Sequence, residues 1–482
     1  MKNYDQDYIP GHWNSEKPGL QGVEPQKPKK SVSIGFLLSA MCIVAVLTML
    51  FTYTLTSASK RSYYSKKLAR QQETIDALRE DKLYSDFDIE KLQLLAGIFD
   101  AYSYYAGDKT EEEMLNAVLK AYAAATGDLY AEYYTGEEYQ AIIDENNGDY
   151  QGIGVSVIQT TATVEGYEYQ VFQIIAIYEG APAESSGLRV GDLLYCIKVD
   201  GTYQTVAALG GYTKAINYIR GEKGTNAEFA VLRPNGDSYE NLEFSVTRDE
   251  FETQSVTWYF SEENPKVGVV HIFSFDLTTP SQFKAAVEHL KADGAEHFVF
   301  DVRNNPGGDL QSIKAVLTYF LQDGDLILSA IDRNGNVAAS YYAEAMKLAG
   351  DYASCNVDKK EIGMYADLDM TVLCNENTAS AAEVFTATLR DYGLATIVGD
   401  TTFGKGIMQS TLPLSYFGKQ YTGYVKMTTY AYVTKCGVTY HDIGITPDVQ
   451  VSLSEEAKTY NVYVLPQSLD DQLKAAVAQF QR

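Results

Sequence analysis

Histidine is scarce in this chain: five residues among 482, at His12, His271, His289, His297 and His441. No two of them stand in a metal-ligating spacing and no HExxH is present, so the sequence offers no local histidine metal motif. The five cysteines, Cys42, Cys196, Cys355, Cys374 and Cys436, include no CxxC pair. That argues against a zinc ribbon and against a dense disulfide framework. Reduced, buried thiols are the expectation, with a single bridge left open. Basic charge is also short. Lys and Arg number 39 against 64 Asp and Glu, for a net charge of -25. Nucleic acid is therefore not an expected partner, because phosphate binding needs basic patches. Neither a metal nor an organic cofactor is called for.

Apolar residues are plentiful, at 45% of the chain, and a chain of this length holds two or three domains with cores of their own. Residues Ser31 to Leu55 are uncharged and mostly apolar. A bilayer core needs roughly 20 such residues in a helix. The 30 residues before it are polar and read as a disordered tail, residues 1–30. A cleavable signal peptide ending near Ser57-Ala58-Ser59 competes with a transmembrane signal anchor over 31–56. The long polar tail favours the uncut anchor. Lys27, Lys29 and Lys30 flank one side of the run and Lys60, Arg61, Lys66, Lys67 and Arg70 the other, so flanking charge does not set orientation.

Residues 57–145 read as a helical stalk and subdomain. Tyr63 to Glu80 is charged and helical in pattern, and Ile89 to Ala125 shows two helical pieces broken near Gly107-Asp108. The 85–125 region and the C-terminal helix are candidate surfaces for a homodimer.

From 146 to 250 the pattern is that of strands. Gly152-Ile153-Gly154-Val155 opens it, followed in order by Gly180-Ala181-Pro182-Ala183, Gly187-Leu188, Gly191-Asp192-Leu193-Leu194 and Phe229-Ala230-Val231-Leu232. This order resembles a PDZ domain. In that family the Gly-hydrophobic-Gly-hydrophobic loop offers backbone N–H groups to a peptide's terminal carboxylate, and the peptide adds as a strand. A small β domain that packs internally and binds nothing is the alternative.

From 251 to 482 strands and helices alternate. Strands are expected at Val267 to Ile272, Phe298 to Val302, Met370 to Cys374 and Ala395 to Val398. Helices are expected at Pro280 to Leu290, Asp309 to Leu321 and Ala381 to Tyr392. Such alternation predicts an α/β domain with parallel pairing inside a mixed α+β multidomain chain. Residues about 325–369 interrupt it, as a cap-like insert.

Ser380 stands at a strand-to-helix turn, where unpaired N–H groups favour a developing anion. A Ser there is also an ordinary helix cap, and Glu383 matches a capping box. Lys405 follows 25 positions later between Gly404 and Gly406, with Gln409 four further on. A neutral Lys can serve as base for a Ser hydroxyl, and burial is what neutralises it. The Gln409 amide oxygen would orient the amine. A lone Lys between glycines is otherwise an exposed loop residue. The Pro306-Gly307-Gly308 turn can aim N–H groups at a carbonyl oxygen and, with the N–H of Ala381, form an oxyanion hole. Without a ligand it is a tight turn.

Together these segments resemble the carboxyl-terminal processing peptidases, or tail-specific proteases. The likeness runs from about Phe99 to the end and is most specific over 297–310, 374–409 and 443–449. That family's nucleophile, base and assisting Gln fall on Ser380, Lys405 and Gln409. Thr378 stands where Ser is frequent, and Lys435-Cys436-Gly437 replaces a usual turn. The resemblance implies a crotonase-like ββα core preceded by a PDZ domain. It implies a serine endopeptidase that takes protein C-terminal tails and forms an acyl-enzyme. It also implies a bacterial cytoplasmic membrane location with the catalytic part outside. A catalytically inactive membrane-anchored PDZ scaffold and a crotonase-like acyl-CoA enzyme are the competing classes.

Overall fold

A computed structural model describes residues 89–105, 107–146, 149–164, 166–236 and 238–481. The expected tail, membrane segment and charged stalk lie outside the described residues. Among the described residues no helix is long and apolar enough to cross a membrane.

Two helices come first, α1 (Ile89–Tyr102) and α2 (Glu111–Ala125), on either side of the expected break. Thr110 caps α2 in a reciprocal box: its N–H goes to Glu113 Oε2 at 2.8 Å, and its Oγ1 accepts from the Glu113 N–H at 3.2 Å. A short strand and a helix follow, β1 (Glu132–Tyr134) and α3 (Gly136–Asn146).

The β-rich part holds β2 (Asp149–Gly152), β3 (Val155–Val164), β4 (Tyr167–Ile177), β5 (Leu193–Val199), β6 (Thr202–Thr205), α4 (Tyr212–Ile219), β7 (Asn226–Asn235) and β8 (Ser238–Thr247). The antiparallel order is β3-β4-β5-β7-β8, with β6 beside β5. Phe172, Ile174, Leu194, Phe229 and Val231 point to one side and bury Ala215 and Ile219 of α4. Among the described residues β3 pairs with β4 alone, and its outer edge is unpaired. β2 pairs instead with β9 (Asp249–Glu252).

The remaining elements are β10 (Val256–Phe260), β11 (Val267–Ile272), α5 (Thr279–Ala292), β12 (His297–Asp301), α6 (Leu310–Thr318), β13 (Leu326–Ile331), β14 (Val337–Tyr342), β15 (Asp369–Cys374), α7 (Ala381–Asp391), β16 (Ala395–Gly399), β17 (Ile407–Pro413), β18 (Tyr424–Val433), β19 (Val449–Gln450) and α8 (Asp471–Val477). β11, β12, β15, β16 and β19 are parallel neighbours in that order, and β10 is antiparallel at one edge. Alternation along these strands sends Val267, Val269, Val299, Leu373 and Val398 to α8, where they meet Leu473, Ala476 and Val477. The opposite face sends Val270, Ile272, Phe298, Phe300 and Val372 against Phe283, Val316 and Phe385 of α5, α6 and α7. A parallel sheet covered on both faces is apolar throughout, which is why these strands read as unbroken apolar runs.

The expected elements of this part lie within one or two residues of the observed ones, save α6. It ends at Thr318 because Tyr319 and Phe320 close i→i+3 bonds, to Val316 O at 3.2 Å and Leu317 O at 3.0 Å. Residues 325–369 hold the β13–β14 hairpin. β13 joins β18, which also pairs β17 and β1, so this segment contributes to a second sheet beside the first.

Candidate active site

The candidate residues emerge from the carboxyl ends of three adjacent parallel strands. β12 leads into the Pro306-Gly307-Gly308 turn, β15 into Ser380, and β16 into Lys405. Crevices at the carboxyl ends of parallel strands are where α/β sheets bind ligands. The turns are laced together by side chain and backbone. Thr378 Oγ1 donates to Val302 O at 2.8 Å, and the Asn304 N–H to Asn375 Oδ1 at 2.8 Å. The Ala379 N–H meets Asn305 O at 2.9 Å, and the Phe403 N–H meets Thr378 O at 3.0 Å.

Ser380 sits at the start of α7 with φ 56° and ψ −118°. An ordinary capping Ser is extended, so this left-handed backbone is not what capping requires. Gly307 presses on it: a Cβ there would fall 2.7 Å from Ser380 Cβ and 2.8 Å from Ala381 N. A Cβ on Gly308 would fall 2.4 Å from Phe275 O. Both positions have positive φ, so the turn tolerates nothing but glycine. The Gly307 N–H is already given to Asn305 Oδ1 at 2.8 Å. The neighbouring strand contact uses Gly307 O and the Asp309 N–H, through Phe275, and leaves the Gly308 N–H outside it.

Glu383 is fully buried and fastens the two halves of the site. Its carboxylate accepts from the Ser380 N–H at 3.0 Å, the Lys405 N–H at 2.7 Å, the Gly404 N–H at 2.7 Å and Thr402 Oγ1 at 2.6 Å. Burial pushes its carboxyl above the ordinary carboxylate range, and these four donors oppose that. Tyr432 makes a second fastening: its hydroxyl shares its one proton between Lys405 O at 2.7 Å and Ser380 O at 3.1 Å. Sequence reading saw Glu383 as a capping-box partner alone and did not reach Tyr432. The capping-box spacing was the one local signal for Glu383. Tyr432, on a strand of the other sheet, had none.

The Lys405 side chain is half-buried. Loss of water, then repulsion from Lys426, pulls its amine below the ordinary Lys value, while Glu383 acts the other way. Its Nζ lies 4.2 Å from the centre of the Tyr130 ring. Among the hydrogen bonds of the described residues none joins it to Ser380 or Gln409. Gln409 Nε2 donates to Thr428 Oγ1 at 3.2 Å, and Thr428 is held by Asp128 through its N–H at 2.6 Å and its Oγ1 at 2.9 Å. The Asp128–Tyr130 segment thus lies over the amine and the amide that sequence reading paired with each other.

Gly152, Ile153, Gly154 and Val155 form the turn between β2 and β3. Ile153 is buried, its carbonyl accepting from the Ala183 N–H at 2.8 Å; Gly154 O accepts from the Tyr178 N–H at 3.0 Å. They line a cavity of about 420 Å³ between β3 and α4, with Phe172, Ile216 and Ile219 on one side and Phe251 and Phe273 on the other. Of the four described cysteines, Cys196, Cys355 and Cys374 are buried thiols, whereas Cys436 is exposed, which departs from the expectation that it is buried.

Residues 266–451 match Peptidase family S41. The matched segment is the one that carries the Pro306-Gly307-Gly308 turn, Ser380, Lys405 and Gln409. It is 23% identical to a probable CtpA-like serine protease of Staphylococcus epidermidis over 92% of this chain and 79% of that one. It is 28% identical to the carboxy-terminal processing protease CtpA of Bacillus subtilis, over 74% of this chain and 68% of that one. A solved structure of a putative S41 protease from Bacteroides fragilis shares the fold, with a TM-score of 0.50 and 15% identity over 83% of this chain and 98% of that one.

Proposed function

We propose that this chain is an endopeptidase that hydrolyses proteins at or near their C-terminal tails through a Ser380–Lys405 acyl-enzyme mechanism. The observation that carries the reading is the joint fastening of Ser380 and Lys405 by Glu383, which gives one carboxylate to the backbone of both. Neutral Lys405 takes the Ser380 proton as Oγ attacks the peptide carbonyl. The oxyanion is held by the N–H groups of Ala381 and Gly308, with Gly307 excluded by its bond to Asn305. Lys405 returns the proton to the leaving amine, and water hydrolyses the ester. Gln409 orients the amine once Lys405 has turned from Tyr130 and Gln409 from Thr428.

The β3–α4 groove is read as a PDZ tail site, with Gly152 to Val155 receiving the terminal carboxylate and the free edge of β3 receiving the peptide strand. The core is read as crotonase-like, from the in-order parallel strands. Residues 31–56 are read as an anchor that holds the protein in a bacterial cytoplasmic membrane with its catalytic part outside.

The test is incubation of the soluble part, from about Tyr63, with an unfolded protein, beside Ser380→Ala and Lys405→Ala. Cleavage is expected from the wild type alone. Equal cleavage by all three proteins refutes the mechanism, and tail binding with no cleavage would favour a scaffold instead.

A further inference from the structure

The catalytic reading leaves a second cavity without a role. It measures about 410 Å³ and touches the site at two points, Gly308 of the oxyanion turn and Gln409 on β17. Part of its wall is apolar: Tyr134 and, from α3, Tyr139, Ile142 and Ile143, with Phe275 and Leu277; Asp276, Asp309, Thr411 and Lys426 supply polar groups to the rest. The α3 residues recur at i, i+3 and i+4 and so share one helix face. The wall is anchored to the sheet that carries Gln409, since β1 pairs β18, β18 pairs β17, and the Tyr139 ring stacks on Tyr424 of β18 at 4.0 Å.

The charged groups of the lining already have hydrogen-bond partners. Lys426 donates to Glu132 at 2.9 Å and to the Tyr134 hydroxyl at 3.4 Å. Asp309 accepts from the N–H groups of Gln311 and Ser312 at 2.7 and 3.2 Å, and Asp276 from Ser274 Oγ at 2.6 Å. An acidic occupant would meet the two carboxylates, and a basic one would have to leave water among the rings to reach carboxylates that already accept hydrogen bonds. An apolar one would trade water for ring and methyl contacts. Reach narrows the choice further. An extended peptide advances about 3.3 Å per residue. With its carbonyl at the Gly308 amide, only side chains adjoining that bond lie near a cavity that Gly308 itself lines.

We infer that this cavity receives the substrate side chain adjoining the scissile bond and selects large apolar residues there, with Tyr139 and Ile143 as specificity-determining residues. The inference rests on the peptidase reading of Ser380 and adds to it the side-chain class and the helix that chooses it.

The test uses peptides blocked at both ends, so that no terminal carboxylate contributes. They differ only in the two residues flanking one cleavable bond, each set in turn to Phe, Leu, Ala, Lys or Glu. On one side of the bond kcat/KM should favour Phe or Leu over Ala by about tenfold or more, and Lys and Glu should be rejected. Ile143→Trp fills the cavity and should lower kcat/KM for the Phe peptide about tenfold while leaving the Ala peptide within about threefold. Tyr139→Ala opens it and should shift the preference toward Trp, which keeps the inference open to refutation where Ile143→Trp does not fold. Fluorescence polarisation with Ser380→Ala protein should give the same ranking by affinity. The inference is overturned where neither side of the bond shows a preference, or where both variants change all peptides alike in cleavage and in binding. Cleavage that survives Ser380→Ala overturns the peptidase reading instead, and the binding ranking then still decides the cavity's role.

Discussion

Ser380 holds a backbone conformation that costs a non-glycine residue on the order of 1–3 kcal/mol, and it packs so close to Gly307 that no side chain would fit there. If that strain serves catalysis, Ser380→Gly should abolish cleavage while leaving the melting temperature unchanged or raised. A plain helix cap would instead lose a few tenths of a kcal/mol on that change. Lys405 gives a pH prediction. Burial and Lys426 pull its amine below the ordinary Lys value, and the proposed mechanism needs the neutral form as base. Activity should therefore rise with pH through an apparent pKa below about 10.4. A pH–kcat/KM profile that stays flat from about pH 5 to 10, with chemistry rate-limiting, contradicts the assignment. Glu383→Gln keeps shape but turns two acceptor oxygens into one acceptor and an NH₂ facing N–H donors. It should cost about 1–3 kcal/mol of stability in denaturant unfolding and lower kcat more than it raises KM. Ser380 was legible as a candidate because its spacing to Lys405 and Gln409 is linear. Its strained φ was not, because strain comes from what presses on a residue.

At the scale of elements, the parallel strands were legible because a sheet covered on both faces needs continuous apolar runs. The small errors fell at the ends, as at α6, where local i→i+3 closure chose the boundary. The role of the 325–369 segment was not legible, since a hairpin's partner strand, β18, lies far along the chain. The groove between β3 and α4 carries its own expectation. A peptide that adds to β3 with its carboxylate at Gly152 to Val155 should lose affinity about tenfold or more when its C-terminus is amidated. Ile216→Lys, which sets a charge in the apolar groove, should weaken the same peptide without changing cleavage of a short blocked substrate. Calorimetric titration with free-acid and amidated peptides checks both, and equal affinities would remove the tail-binding role.

At the scale of the whole molecule, the C-terminal segment is locked under the site by buried charge. Arg303, fully buried, is bound by Asp301 at 2.6 Å and by Asp470 at 2.8 Å, the latter capping α8. Tyr463 adds a bond from its hydroxyl to Asn304 O at 3.1 Å, directly before the oxyanion turn. Arg303→Met strands two buried carboxylates and should cost about 3–5 kcal/mol, read as a fall in denaturation midpoint. The order of motifs along the chain was enough to indicate a peptidase class and to name a candidate nucleophile and base. Each depends on residue type and linear spacing, which survive without coordinates. What the folded chain alone could supply is contact between distant segments. Glu383 and Tyr432 fasten Ser380 to Lys405, Tyr130 lies against the Lys405 amine, and α3 walls a cavity beside Gly308. These contacts join positions tens to hundreds of residues apart, and packing rather than periodicity brings them together.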